Sequence, residues 1–411
     1  MTRLPAGWKT NRLAGVTTII SGQSPPGSSI NGDGDGKPFF QGKAEFGSLY
    51  PEVRKYTTSP LRSAQKGDIL LSVRAPVGPT NIAPLDCAIG RGLAAIRSNH
   101  EILDQRFLLW VLRSTEQALA DQGTGSTFTA ITGKVLRDHT VPLPPLEEQR
   151  RIVAILEDHL SHLDAADSGL RAATRRMEAL RAAELSATVE WDSDVSTIGS
   201  LANVGTGSTP SRSDKENYDG GRIPWVTSGD LHQGVVVRAS QNVTDHGQRS
   251  GRLKLYPPDT LLVAMYGEGK TRGTVARLGI SATVNQACAT IKVNDPRLVD
   301  WIEVVLQANY SSMRAMAAGG VQPNLNLGLV KKIPVPMPPE HVRLARLDKL
   351  SKSLNSLLKT KDTVVDLAAR TLLLRRSLLA SAFHGDLTAD WRAGRVGPSL
   401  HDGNDTDERE A

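Results

Sequence analysis

The chain has 411 residues, of which 39% are hydrophobic and 4% aromatic. This length predicts two or three domains, and the hydrophobic content is sufficient for real cores. The 49 Lys and Arg against 43 Asp and Glu give a net charge of only +6, which is compatible with a polyanionic partner without demonstrating one. No segment approaches the roughly 18 apolar residues of a membrane span, and Met1 to Trp8 has no apolar signal core. We expect a soluble, cytoplasmic protein with no membrane partner.

The two cysteines, Cys87 and Cys288, are far apart in sequence and belong to no CxxC or Cys/His cluster. This spacing indicates neither a disulfide framework nor a structural zinc site, and it fits a reducing compartment.

The first third of the chain is typical of a strand-rich globular domain. Val16 to Ile20 predicts a strand, and residues 21 to 37 form a Gly, Pro, Ser and Asp loop. Further strands are predicted at Ile69 to Val73 and Gly92 to Arg97, and a helix is predicted from Gln105 to Asp121.

A long helix is predicted to begin at the double proline Pro144-Pro145. Proline disfavours helix before it, and Glu147 and Glu148 are acidic residues of the kind that stabilise a helix N-terminus. Steps of three and four residues give a heptad row that predicts a coiled-coil seam: Ile152, Leu156, His159, Leu163, Ala166, Leu170, Ala173, Met177, Leu180 and Glu184. His159 is interpreted as a tolerated polar interruption. About 40 residues would make a rod on the order of 60 Å long, so we expect it to separate two other parts.

A second copy of this junction lies at Val335, 194 residues after Val141. It begins a second run without Gly or Pro, from Glu340 to His384, whose predicted seam is Leu347, Leu354, Leu358, Val365, Leu372 and Leu379. Because each rod needs an apolar partner, we predict that the two pack antiparallel.

The globular part is repeated as well. Pro25 matches Pro210 at an offset of 185 residues, Asp68 matches Asp259 at 191, and Gly125 matches Gly319 at 194. A helix predicted from Leu298 to Met316 corresponds to the helix predicted from Gln105 to Asp121 in the first copy. The growing offset predicts small insertions in the second copy, and we expect a pseudo-two-fold relation between the halves.

Several segments resemble the specificity (S) subunit of type I restriction-modification systems. The junction Pro142 to Ile152 is the most specific of them, and supporting similarity lies at 4 to 8, 66 to 78, 223 to 230, 285 to 287, 322 to 326 and 382 to 388. The second junction departs from this pattern, because His341-Val342-Arg343 follows Glu340 in place of Glu-Gln-Arg.

The resemblance implies an α+β fold in which two target-recognition domains are separated and joined by two long antiparallel coiled-coil helices. The domains are expected at 1–145 and 191–339, the central helix at 146–190 and the C-terminal helix at 340–385. The remaining residues, 386–411, end in an acidic tail that is expected to be disordered from about residue 397.

The resemblance also implies a function without catalysis by this chain. Each domain would read one half of a bipartite, asymmetric site in double-stranded DNA, and the helices would set the spacer between the halves. Two methylation subunits that use S-adenosylmethionine would dock on the helices, at an end where Arg150 and Arg151 face the partner. Two restriction subunits that use ATP and Mg would join them.

The candidate DNA-contacting residues are Arg and Lys side chains in loops beside small residues. Arg can pair with guanine and Lys can hold phosphate, although each position alone is equally consistent with ordinary solvated surface. The candidates are Lys37, Lys43, Arg54, Lys55 and Arg74 in the first domain, and Arg212, Lys215, Arg249, Arg252, Lys270 and Arg272 in the second. Tyr218, Tyr256 and Tyr266 could stack on bases, but an aromatic residue in such a domain is more often core.

Two alternatives stay open at this point. Residues 258–271 resemble both a loosened phosphate-binding loop ending in Gly-Lys-Thr and a nuclease motif, which would make the chain a metal-dependent nuclease or NTPase. Its counterpart around Arg74 has Pro79 where the Lys should be, which favours a duplicated scaffold turn. The other alternative is a coiled-coil scaffold that never touches DNA. No Asn/Asp-Pro-Pro-Tyr/Phe segment of an adenine methyltransferase occurs.

Overall fold

The computed structural model describes residues 4–123, 130–267, 271–318 and 324–394. The chain divides into two compact units. Unit 1 contains the residues up to Leu170 together with those from Asp366 onward, and unit 2 contains Arg171 to Val365.

Unit 1 begins with a strand-rich domain. Its strands are β1 (Lys9–Arg12), β2 (Thr17–Ser21), β3 (Ile30–Asn31), β4 (Lys37–Phe40), β5 (Tyr56–Thr57), β6 (Ser63–Ala64), β7 (Ile69–Ser72), β8 (Thr80–Ile82), β9 (Cys87–Ile89), β10 (Leu93–Ser98) and β11 (Thr140–Leu143). Its short helices are α1 (Leu13–Val16), α2 (Gln105–Ser114), α3 (Glu116–Ala120) and α4 (Gly133–Asp138).

Two sheets of unit 1 pack face to face. One has the order β2-β10-β7-β8 and the other the order β3-β5-β4-β9-β6, in which β4 runs parallel to β9. Strand β7 is buried along its whole length because both of its faces are covered. Ile69 and Leu71 face the core that contains α2, whereas Leu70 faces the core between the sheets with Phe40 and Ile89. This explains why β7 is a continuous apolar run rather than an alternating one.

Unit 2 repeats this arrangement. Its strands are β12 (Val195–Thr197), β13 (Ala202–Thr206), β14 (Ile223–Val226), β15 (Val235–Val236), β16 (Gln241–Val243), β17 (Leu261–Ala264), β18 (Val275–Leu278), β19 (Thr283–Val284), β20 (Cys288–Val293) and β21 (Pro334–Pro336). Its short helices are α6 (Ile198–Leu201), α7 (Asp245–Ser250), α8 (Val299–Ala308), α9 (Tyr310–Ala318) and α10 (Leu327–Lys331).

The sheets of unit 2 have the orders β13-β20-β17-β18-β15 and β16-β14-β19. Strand β20 lies between β13 and β17 just as β10 lies between β2 and β7, and β14 runs parallel to β19 as β4 does to β9. The predicted internal repeat is therefore confirmed at the level of strand order.

Three predicted elements differ in the structure. The strand expected from Val16 begins at Thr17, because Val16 closes a helical turn in which the Thr17 hydroxyl donates to the Leu13 carbonyl at 2.7 Å. The two predicted single helices, from Gln105 and from Leu298, are each broken into two. The breaks fall at Thr115 and Asn309, whose side chains bond backbone carbonyls one turn earlier and compete with the helix.

The two long helices begin where the proline pairs predict. Helix α5 spans Leu146–Thr188 and α11 spans Glu340–His384, followed by the short α12 (Ala389–Ala393). In unit 1 they pack antiparallel: Leu156 and Leu160 share a core with Leu379, and Arg375 lies 2.6 Å from Asp164. The α+β fold with two paired long helices is thus confirmed. Among the described residues, no helix is long and apolar enough to cross a membrane.

The predicted seams are wrong in register at several positions. In α5, His159 is exposed, and Leu160 is buried in its place. In α11, Leu358, Val365 and Leu372 are 55%, 59% and 52% exposed, whereas the row one residue earlier faces inward. That row is Leu350, Leu357, Val364, Thr371 and Leu378. At three of these five positions, Leu357, Val364 and Leu378, the next residue is also apolar. Because an α-helix also drifts against a strict heptad, sequence spacing alone could not choose between the two rows.

The two ends of the described chain meet in unit 1 around one buried carboxylate. Glu148, at the start of α5, is 1% exposed and accepts hydrogen bonds from Trp8 Nε1 at 3.0 Å and from Thr388 Oγ1 at 2.6 Å. The Arg392 guanidinium pairs with the same carboxylate and lies 5.7 Å from the Trp8 ring. We name Trp8, Glu148, Thr388 and Arg392 the terminal clamp.

Candidate nucleic-acid interface

The loops of unit 1 converge at one end of its sheets. Because β10 is antiparallel to both β2 and β7, its first residues lie beside the last residues of those two strands. The parallel strands β4 and β9 also end there. We name this region, which contains residues 22–24, 41–43, 73–74 and 90–92, the loop end of unit 1.

Hydrogen bonds tie these loops to one another. Ser24 Oγ accepts from the backbone N–H of Arg91 at 3.3 Å and from Gln41 Nε2 at 3.0 Å, and the Gly90 N–H donates to the Phe40 carbonyl at 2.8 Å. Glycine is required at Gly22, since a Cβ there would overlap the carbonyl oxygen of Gly90. The loop end is therefore a connected platform rather than a set of independent loops.

Two arginines line one cavity of about 200 Å³ on this platform. They are Arg74, which follows β7, and Arg91, which lies between two glycines before β10. Both are exposed, and neither has a carboxylate partner within the described part of the chain. Lys43 belongs to the same loop end, three residues after β4 ends at Phe40. Sequence reasoning found Lys43 and Arg74 but missed Arg91, although its Gly-Arg-Gly setting was visible.

The other candidates of unit 1 lie away from this platform. Lys37 begins β4 at the opposite end of that strand, and its Nζ lies 3.5 Å from the Ser63 hydroxyl. Arg54 forms an exposed ion pair with Glu52 at 2.6 Å. Lys55 lies beside β4, where its carbonyl accepts from the Phe39 N–H at 2.8 Å. The structure does not bring these three residues together with Arg74.

Unit 2 has a corresponding loop end at residues 206–209, 227–230, 265–267 and 285–287. The Thr206 hydroxyl donates to the carbonyl of Cys288 at 2.9 Å, and the Asn285 N–H donates to the carbonyl of Val226 at 2.9 Å. The Thr209 hydroxyl donates to the side-chain oxygen of Gln286. As in unit 1, a glycine fits tightly, because a Cβ at Gly207 would overlap the Val284 carbonyl.

Arg272 follows this loop end and carries a donor that no described residue uses. Among residues 4–123, 130–267, 271–318 and 324–394, its buried Nε has no hydrogen-bond partner, and its carbonyl accepts from Arg314 NH1 at 3.1 Å. A buried guanidinium donor without an acceptor is costly unless a ligand supplies one, and a phosphate oxygen would be suitable. Lys270, another candidate, lies outside the described residues.

The remaining candidates of unit 2 have separate surroundings. The Arg212 guanidinium lies 4.9 Å from the Tyr218 ring centroid and 5.0 Å from that of Trp225. Tyr218 is itself fixed by a 2.6 Å bond from its hydroxyl to the Pro210 carbonyl, and burial raises its pKa. Tyr256 is a core residue at 5% exposure, as expected, while Tyr266 is 38% exposed at the loop end.

Lys215, Arg249 and Arg252 lie on neighbouring surface segments of unit 2. Lys215 begins a short 3-10 turn, Arg249 lies in the last turn of α7, and Arg252 adopts a positive φ of 48° just after it. In the described part of the chain, no hydrogen bond or ion pair joins their side chains to the loop end, so their role in DNA contact stays a prediction.

A family model for the type I restriction modification DNA specificity domain matches this chain twice, at residues 5–170 and 189–366. The chain belongs to this family. Within the family, the putative type I restriction enzyme MjaX specificity subunit of Methanocaldococcus jannaschii is 48% identical over 156 residues, which are 38% of this chain and 37% of that protein. The EcoDI specificity subunit of Escherichia coli is 23% identical over 432 residues, covering 95% of this chain and 91% of that protein.

Solved structures agree with the family in fold. A chain from a type I R-M system, solved in work on complex assembly and conformational transition, matches with a TM-score of 0.75 at 19% identity. The match covers 93% of this chain and 99% of that one. The HsdS subunit from Thermoanaerobacter tengcongensis matches with a TM-score of 0.51 at 18% identity, covering 93% and 98% of the two chains. The DNA specificity family favours a sequence-reading role over the nuclease, NTPase and scaffold alternatives.

Proposed function

We propose that each unit reads one half of a bipartite, asymmetric site in double-stranded DNA. The observation that carries this proposal is the repeated loop end: the two units share the scaffold that positions the loops and differ in the side chains that the loops present. Arg74 and Arg91 at one loop end, and Tyr266 and Gln286 at the other, would meet different bases. A duplicated reader with diverged contacts is suited to a site whose halves differ in sequence.

The chain would have no catalytic activity of its own and would recruit catalytic partner subunits. Two methylation subunits, which use S-adenosylmethionine, would dock on the long helices, and two restriction subunits would use ATP and Mg. The exposed apolar residues of α11 support a docking face: Leu358 and Val365 in unit 2, and Leu372, Leu373 and Leu374 in unit 1. Covering such a side chain contributes about 1.5–3 kcal/mol, so leaving several uncovered in a monomer is unfavourable.

The decisive experiment is modified-base sequencing of a plasmid from a methylation-free host. The host would express this chain with the methylation subunit of the same system, or the methylation subunit alone. Methylated adenines at a two-part motif that require this chain would support the reading role. A stable complex without any dependent motif would contradict it and favour the scaffold.

Two variants would assign the halves. We expect Arg74→Ala to weaken recognition of one half-site and Arg272→Ala to weaken the other, because each removes a cation or donor from one loop end. Arg12→Gln is a suitable control in unit 1, since its side chain is 73% exposed and its one ion pair among the described residues is with Asp138 at 3.4 Å. Each lost phosphate contact should also reduce the slope of log affinity against log salt by about 1.

A further inference from the structure

The turn before the central strand of each unit occupies the same place in the fold. In unit 1, Ala94 of β10 pairs with Ser21 of β2, and Arg91 lies three residues before it. In unit 2, Ala289 of β20 pairs with Thr206 of β13, and Gln286 lies three residues before it. Strand register therefore makes Arg91 and Gln286 equivalent positions.

The support beneath the two turns is also equivalent. The residue after each paired strand is a glycine, Gly22 or Gly207, and each packs directly on the backbone before the turn. Two residues later comes a hydroxyl, Ser24 or Thr209, and each bonds the tip residue of its turn: Ser24 accepts from the Arg91 backbone N–H at 3.3 Å, and Thr209 donates to the Gln286 side chain. The Gln286 backbone is held by the Thr206 hydroxyl, which donates to its carbonyl at 3.3 Å. Both tips are thus held at the backbone, and the side chain is what differs.

The tip side chains have the chemistry of base recognition. Both are exposed, and Arg91 has glycine on either side, so a base edge could approach without steric obstruction. Arg presents two parallel donors that match guanine O6 and N7, and Gln presents a donor and an acceptor that match adenine N7 and N6. The Thr209 hydroxyl uses one lone pair of the Gln286 oxygen and leaves the other, together with the amide N–H groups, for a base.

We propose that Arg91 contacts a guanine in the half-site read by unit 1, and that Gln286 contacts an adenine in the half-site read by unit 2. This inference rests on the proposed function and adds to it the residues and the bases. A bidentate contact discriminates against the wrong base by about 10- to 100-fold.

The test is the methylation motif of exchanged variants, measured with the full chain and its methylation subunit on a plasmid library with randomised half-sites. Arg91→Gln should change one guanine to adenine in one half, and Gln286→Arg should change one adenine to guanine in the other half. Arg91→Lys, which keeps the charge but loses the paired donors, should lower the preference for guanine about tenfold. Arg12→Gln makes the same chemical change away from the loop end and should leave the motif unchanged.

The outcomes separate this inference from the proposed function. If the wild-type chain directs no motif, both are wrong. If it directs a two-part motif but Arg91→Gln lowers methylation equally at all sites, Arg91 holds phosphate and the inference is wrong. A wild-type motif without guanine in the half affected by Arg91, or full guanine preference in Arg91→Lys, overturns it as well. Should Arg91→Gln abolish methylation altogether, the reciprocal Gln286→Arg change decides the matter.

Discussion

The terminal clamp gives a quantitative prediction for the stability of unit 1. In Glu148→Gln the side chain keeps its shape but loses its charge, so Arg392, whose side chain is 19% exposed, loses this counter-ion. Breaking a buried pair by removing one partner costs about 3–5 kcal/mol. Because an amide oxygen can still accept from Trp8 or Thr388, we expect a somewhat smaller loss of unfolding free energy, about 2–4 kcal/mol.

Hydrogen exchange measured by mass spectrometry can assign this loss to one unit. A loss of 2–4 kcal/mol corresponds to a fall in protection of roughly 30- to 700-fold for the core amides of unit 1. Strand β7 and helix α2 should report this fall, while peptides from β17 and β20 of unit 2 should change little.

The matched control is Glu52→Gln, the same substitution in the same unit at a carboxylate that is 67% exposed and paired with Arg54. An exposed pair contributes at most about 1 kcal/mol. If Glu148→Gln loses no more protection than Glu52→Gln, the clamp does not stabilise unit 1 and the reasoning from burial is wrong.

Further predictions concern titration, thiol reactivity and the long helices. Burial lowers the pKa of His139, so the folded chain resists protonation of this imidazole. The free energy of unfolding should therefore be intact above about pH 6.5 and fall as the pH drops below that value. His139→Gln should flatten this pH dependence in urea titrations. Burial raises the pKa of Cys87 and of Cys288 to about 12. Alkylation of both thiols at pH 8 should therefore require unfolding of the chain. Rapid labelling of the native chain would contradict their burial. Leu358→Lys should change the free energy of unfolding by no more than about 0.5 kcal/mol but weaken binding of the methylation subunit. Leu357→Lys should destabilise the chain. Equal losses of unfolding free energy in the two variants would refute the corrected seam. Inserting seven residues into both long helices at matching depths should lengthen the DNA spacer by about three base pairs, read from the methylation motif.

The features that the sequence predicted well are those with a local physical cause. The proline pairs and the acidic residues after them placed the starts of α5 and α11, and the internal repeat predicted the matching strand order of the units. Apolar runs such as Ile69 to Ser72 marked strands that are buried on both faces. The proline and apolar-run signals depend on neighbours in sequence, and the repeat is found by comparing two stretches of sequence, so all three can be read without the fold.

The predictions that were wrong concern features that depend on tertiary packing. Leu357 and Leu358 are both apolar, and only the packing of α11 decides which one faces inward. Likewise, Lys37 and Lys43 were both predicted as loop cations, but Lys37 is the first residue of β4 and Lys43 follows the strand, so the two lie at its opposite ends. The Gly-Arg-Gly setting of Arg91 was visible in the sequence, but only the register of β10 shows that Arg91 shares its end of the sheet with Arg74.

The terminal clamp also bears on how the chain folds while it is being translated. Unit 2 is one uninterrupted stretch, from Arg171 to Val365, so the nascent chain can complete it before synthesis ends. Most of unit 1 leaves the ribosome before unit 2, yet its core includes Ala382, and its buried Glu148 gains its partners Thr388 and Arg392 only after unit 2 has been made. The half that is made first is therefore finished last, and a message truncated before codon 388 would yield a folded second half beside an incomplete first one.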